Sequence, residues 1–80
     1  MFDNTCEIRR AIIRPDGRAQ LDLKADDGTF DWIWLLSSTQ NANPVFAAAL
    51  TAFATNKKVW CQVNIPVNAF DEVLNFGVAK

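Results

Sequence analysis

Trp60 stands in the run Lys58-Val59-Trp60-Cys61-Gln62-Val63-Asn64, where polar or aromatic residues alternate with small apolar ones. In an extended strand that alternation places Lys58, Trp60, Gln62 and Asn64 on one face. An indole among a cation and two amides is a stacking platform with hydrogen-bonding neighbours, the chemistry that recognises a sugar ring or a base. The competing role for Trp60 is packing under a loop or against another chain. These four residues are the candidate ligand-binding positions, and a glycan is the favoured ligand.

Other chemistry is scarce. The chain has no His and no Tyr, so Ser37, Ser38, Cys6 and Cys61 lack the usual base to activate them, and no enzyme is expected. The glycines lie at turns or near the C-terminus and none opens a phosphate-binding loop, so no nucleotide cofactor is expected either. Asp26, Asp27 and Asp31 are the one acidic cluster, but Asp27-Gly28 is ordinary turn chemistry without the spacing of a calcium loop, and no metal is expected. Cys6 and Cys61 are too few for a structural zinc site, and fall on the first and fourth strands. A disulfide between them and a pair of reduced core thiols are both open. Arg9, Arg10, Arg14 and Arg18 gather around the first hairpin beside Asp16 and Asp22, a pattern of solvated, partly neutralised surface. A net charge of -1 argues against nucleic acid as partner.

The elements that must position these residues follow from patterning. Thr5 to Ile13 reads as a strand, Arg14-Pro15-Asp16-Gly17-Arg18 as a turn, and Ala19 to Ala25 as a second strand with Ala19, Leu21, Leu23 and Ala25 inward. Asp26 to Thr29 turns again, and Phe30 to Leu36 makes a third strand. After a polar loop, Asn43 reads as an N-cap, Pro44 as the first helical residue, and Val45 to Thr55 as a helix stopped at Asn56. A fourth strand runs from Lys58 to Ile65, ended by Pro66, and a fifth covers Val73 to Ala79. Residues 1–80 thus form one β-rich α+β domain of order β-β-β-α-β-β: a five-stranded antiparallel barrel like the oligonucleotide- and oligosaccharide-binding fold, or a curved sheet, with one helix between strands three and four.

Two elements carry more apolar surface than one small core can cover. At 100° per residue, Phe46, Ala49, Leu50 and Phe53 form the helix stripe expected to cap the core. The opposite arc is Ala48, Thr51 and Thr55, flanked by Ala47 and Ala52, with no charge from Pro44 to Thr55. On strand three, Phe30, Trp32, Trp34 and Leu36 share one face while Ile33 and Leu35 fill the other. That helix arc, together with Trp32 and Trp34, is the expected interface of a homo-oligomer. No apolar run approaches the roughly 20 residues that span a bilayer, so no membrane insertion is expected. Met1 to Glu7 has no basic head followed by an apolar stretch, so no leader is expected there, and the compartment is left open.

The element order and the segment Phe46 to Val59, read in Pro44-Val-Phe-Ala-Ala-Ala-Leu-Thr-Ala-Phe-Ala-Thr-Asn-Lys-Lys-Val-Trp60, resemble small bacterial barrels of the kind seen in AB5 toxin B subunits. The resemblance implies a ring-shaped homo-oligomer with central helices and outward loops that bind glycans. The expectation is a non-enzymatic binding or assembly module, possessing no cofactor. The alternative is a single-stranded nucleic-acid binder of the same fold.

Overall fold

The computed structural model describes residues 1–79, which form five strands and one helix in the expected order. They are β1 Phe2–Ile13, β2 Ala19–Ala25, β3 Ile33–Leu36, α1 Ala42–Thr55, β4 Lys58–Val63 and β5 Asn75–Ala79. The strands lie antiparallel in one sheet of order β3-β2-β1-β4-β5. The sheet is not closed. One parallel bridge, Leu36 to Glu72, ties β3 to the segment before β5. There Leu36 N–H donates to the Asp71 carbonyl at 2.9 Å and Val73 N–H to the Leu36 carbonyl at 2.8 Å. Of the two forms the pattern allowed, barrel and open sheet, the chain takes the open one.

The period-two alternation of β2 and β4 builds the core directly. Ala19, Leu21, Leu23 and Ala25 from β2 meet Val59, Cys61 and Val63 from β4, and all are buried. Each fully buried leucine there contributes about 1.5–3 kcal/mol relative to exposure. The β1–β2 turn closes with Arg14 N–H donating to the Arg18 carbonyl at 2.8 Å, and Gly17 supplies the positive φ of 89° that a side chain would resist.

Several boundaries differ from expectation for local reasons. β1 starts at Phe2, because Phe2 to Cys6 pair with β4. β3 starts at Ile33, because Phe30 turns into the core and meets Phe2 edge-on at 5.1 Å. β4 ends at Val63 and leaves Asn64 exposed beyond it. β5 starts at Asn75, since the residues before it are engaged with Leu36. Helix α1 begins at Ala42 rather than Pro44, preceded by Asn41, whose N–H donates to the Ser38 hydroxyl at 3.1 Å. Pro44 still lies in the first turn, where a missing N–H is harmless. At the other end Asn56 takes the expected left-handed conformation, φ 54° and ψ 43°, and Lys57 N–H donates to the Ala52 carbonyl at 3.0 Å.

The helix face needs correction. Ala42, Val45, Ala49 and Ala52 are the buried residues, so the inward stripe is turned by roughly 70° from the expected one. Leu50 and Phe53 are 49% and 40% exposed, and Phe46 packs only at the core's margin. Small side chains explain the choice: Val45, Ala49 and Ala52 share one densely packed core cluster with Leu21 and Leu23, where larger rings would overpack. Ala52 is therefore part of this chain's own core and cannot serve as an intermolecular contact.

Candidate functional site

Lys58, Trp60 and Gln62 lie on the outer face of β4, away from Val59, Cys61 and Val63. Trp60 is half-buried and pairs in register with Thr5, while Gln62 pairs with Asp3. The sheet brings in an acceptor that sequence reasoning missed. Asp3 takes the Trp60 indole N–H on Oδ1 at 2.6 Å and the Gln62 amide on Oδ2 at 3.0 Å. The amide of Asn75 donates in turn to Gln62 Oε1 at 2.7 Å. The row Asn75, Gln62, Asp3, Trp60 crosses three strands and fixes the plane of each group. Only the i, i+2 spacing of Asp3 and Thr5 in a strand opposite β4 hinted at this partner.

Lys58 belongs to a second network. Its Nζ donates to Asp26 Oδ2 at 2.9 Å, and the Thr5 hydroxyl donates to the same oxygen at 2.6 Å. Burial pushes the Asp26 carboxyl up, but the hydrogen bonds from Thr5 and Lys58 outweigh it and hold it below the usual carboxylate range. The Asp26 hydrogen bond correspondingly raises Lys58. Asp27 is held low by the Thr29 hydroxyl and backbone N–H, as an Asx turn requires. Among the described residues no three or more His, Cys, Asp or Glu side chains gather as a metal site. Asn64 lies outside the strand and is not drawn into either network.

Farther along β1 the outer face changes sign. The β1–β2 register slips between Ile8 and Arg10, so that Arg9 and Arg10 together oppose Asp22. Strict alternation would send consecutive residues to opposite faces, and the bulge sends both arginines to one. Asp22 Oδ2 accepts from Arg9 Nε at 2.6 Å and from Arg10 Nε and Nη2 at 3.1 and 2.9 Å. The Arg9 guanidinium lies 4.4 Å from the Trp32 ring centroid and that of Arg10 lies 4.8 Å from Trp34. Trp32 and Trp34 are thus each stacked by an arginine of their own chain and stay half-buried. The face that was expected to need a second subunit therefore finds part of its cover within the molecule.

Of the other expected interface residues, Ala47, Thr51 and Thr55 are exposed and Ala48 is half-buried. The Thr51 hydroxyl donates to the Ala47 carbonyl at 2.9 Å and the Thr55 hydroxyl to the Thr51 carbonyl at 2.7 Å, which leaves methyl groups outward. Cys6 and Cys61 are fully buried and unbridged, with their sulfurs 3.6 Å apart. The Cys6 thiol is pushed up by its hydrogen bond to Cys61 and by burial.

Clefts among the described residues mark the surface. A cleft of about 380 Å³ is lined by Glu7, Ile8, Trp32, Asn56, Lys57 and Lys58. It lies between the Trp60 row and the arginine pair in the run of β1. A larger one, about 620 Å³, is apolar and lies at the first hairpin, where Ile12, Ile13 and Phe70 are 44%, 49% and 53% exposed. No described helix is long and apolar enough to cross a membrane. No protein-family model matches the chain, and neither the curated proteins nor the solved structures give a match.

Proposed function

We propose that this chain is a non-enzymatic binding module that works as a homo-oligomer and meets a carbohydrate on the outer face of its sheet. The observation that carries the proposal is the half-exposure of Leu50 and Phe53 on a helix with no charged residue between Pro44 and Thr55. A helix open to water normally carries charge there. The inward-bonded threonines and the exposed Ile12, Ile13 and Phe70 add further surface that is cheap to dehydrate. Burying about 400 Å² of it per subunit is worth on the order of 10 kcal/mol before the costs of association. A second copy is the simplest cover, in keeping with the likeness to AB5-type B subunits.

Carbohydrate is favoured because a carboxylate, two amides and an indole edge already stand in one hydrogen-bonded row on the outer sheet face. Such a row offers donors and acceptors to hydroxyls beside an apolar ring face. The arginine-covered tryptophans favour single-stranded nucleic acid as the second reading. Light scattering tests assembly, and titration with neutral and acidic oligosaccharides beside a single-stranded oligonucleotide tests the ligand.

A further inference from the structure

Resting on the carbohydrate reading, we propose that the β1 bulge builds an oxyanion platform from Arg9 and Arg10, and that the sugar this face takes is an acidic one bearing carboxylate or sulfate. Asp22 is the anchor: its side chain is only 2% exposed, whereas those of Arg9 and Arg10 are 50% and 57% exposed. One carboxylate against two guanidiniums leaves a net positive charge at the surface. An arginine carries five N–H donors. Arg9 spends only Nε on Asp22, and Arg10 spends Nε and Nη2. Among the described residues the remaining Nη donors make no further hydrogen bond, on side chains that are half-exposed.

Both guanidiniums are held before any ligand arrives. Each is stacked on an indole and pinned at its Nε, so little side-chain entropy is left to lose on binding. A carboxylate or sulfate matches the planar fork of arginine in a way that a neutral hydroxyl does not. Trp32 links the platform to the cleft it shares with Lys57 and Lys58, which has room for a sugar ring beside the anion. A purely structural Arg–Asp clamp would need one arginine on the outer face. The extra residue in β1 supplies a second one to the same carboxylate.

The test is calorimetric titration of the full chain with tetragalacturonate, its uncharged methyl ester, a heparin-derived tetrasaccharide and a single-stranded oligonucleotide. At least one acidic tetrasaccharide should bind about tenfold or more tightly than the methyl ester, and more weakly as salt rises. Arg9→Gln and Arg10→Gln should each weaken it about tenfold, and Arg10→Lys should do the same, because lysine keeps the charge without the fork. Arg18→Gln removes one charge from the hairpin without touching the platform and should change affinity less than twofold. Near-UV circular dichroism of each variant checks the fold, and Arg10→Lys keeps the question decidable if a glutamine variant unfolds. Equal binding of the acidic sugar and its methyl ester, or an equal loss with Arg18→Gln, overturns the oxyanion platform and leaves the carbohydrate reading standing. Binding of no sugar overturns both, and binding of the oligonucleotide alone moves the platform to nucleic acid.

Discussion

The indole N–H of Trp60 donates to the carboxylate of Asp3 at 2.6 Å, across the β1–β4 pair. The bond turns a tryptophan from a free side chain into a fixed plate, because its ring can rotate only by giving up a charge-assisted partner. Asp3→Ala should therefore loosen Trp60 and Gln62 together. The expected loss of stability is about 1 kcal/mol, because the site is open to water. Urea melts measure that loss, and an upfield shift with faster exchange of one indole N–H in the NMR spectrum reports the released ring. An unchanged indole resonance would contradict the bond.

Asp22 holds two guanidiniums at once and is itself almost wholly buried. Asp22→Ala should cost about 2 kcal/mol, less than a fully buried pair because both arginines reach water. It should also release Arg9 and Arg10 from the rings of Trp32 and Trp34, seen as a change in tryptophan emission. A melt within a few tenths of a kcal/mol of the parent protein would show that the carboxylate does not organise this face.

The two thiols should be silent in the folded protein. Both are buried, and the Cys6 thiol is raised by its neighbour and by burial, so little thiolate exists to react. A thiol reagent should titrate none in native protein and two after denaturation without reductant, and reductant should leave the melting temperature unchanged. Finding no thiols after denaturation would mean a bridge.

The Asp26–Lys58 pair gives a pH signature. The Asp26 carboxyl is held below its usual 3.8, so its contribution is present above that value and is lost as pH falls through the folded value. Lys58 is raised above its usual 10.5, so its contribution is present below that value and is lost as pH rises through the folded one. Asp26→Asn should melt slightly lower than the parent protein at neutral pH, with the difference shrinking toward both extremes. A difference that persists below the carboxylate range would point to a loss of shape rather than of charge.

Legibility in the sequence followed periodicity. The inward faces of β2 and β4 were readable as far as Val63, since Leu21, Leu23, Val59, Cys61 and Val63 repeat every second position and each is buried, but Ile65, expected to continue the β4 face, lies beyond the strand and is 57% exposed. The left-handed stop at Asn56 was readable from residue type. The helix stripe was not, because hydrophobicity points to Phe46, Leu50 and Phe53 while the face turned to the sheet is that of the small residues Ala42, Val45, Ala49 and Ala52. Arg9 and Arg10 on one face were also hidden: a bulge is a register event between two strands, and alternation within one strand cannot announce it. Asp3 escaped because its partner is 57 residues away in the chain.

The corrected helix face separates folding from assembly. Ala52→Glu would bury an unpaired carboxylate in the core and should unfold the chain. Leu50→Glu and Phe53→Glu change exposed positions and should leave the domain folded while dissociating the particle. The most direct measurement is the solution mass by multi-angle light scattering at micromolar concentration, for the parent chain and for Leu50→Glu. The parent is expected at a whole multiple of 8.9 kDa and Leu50→Glu at 8.9 kDa with its circular dichroism intact. A parent chain that scatters as a monomer of 8.9 kDa would contradict the assembly on which the proposed function rests.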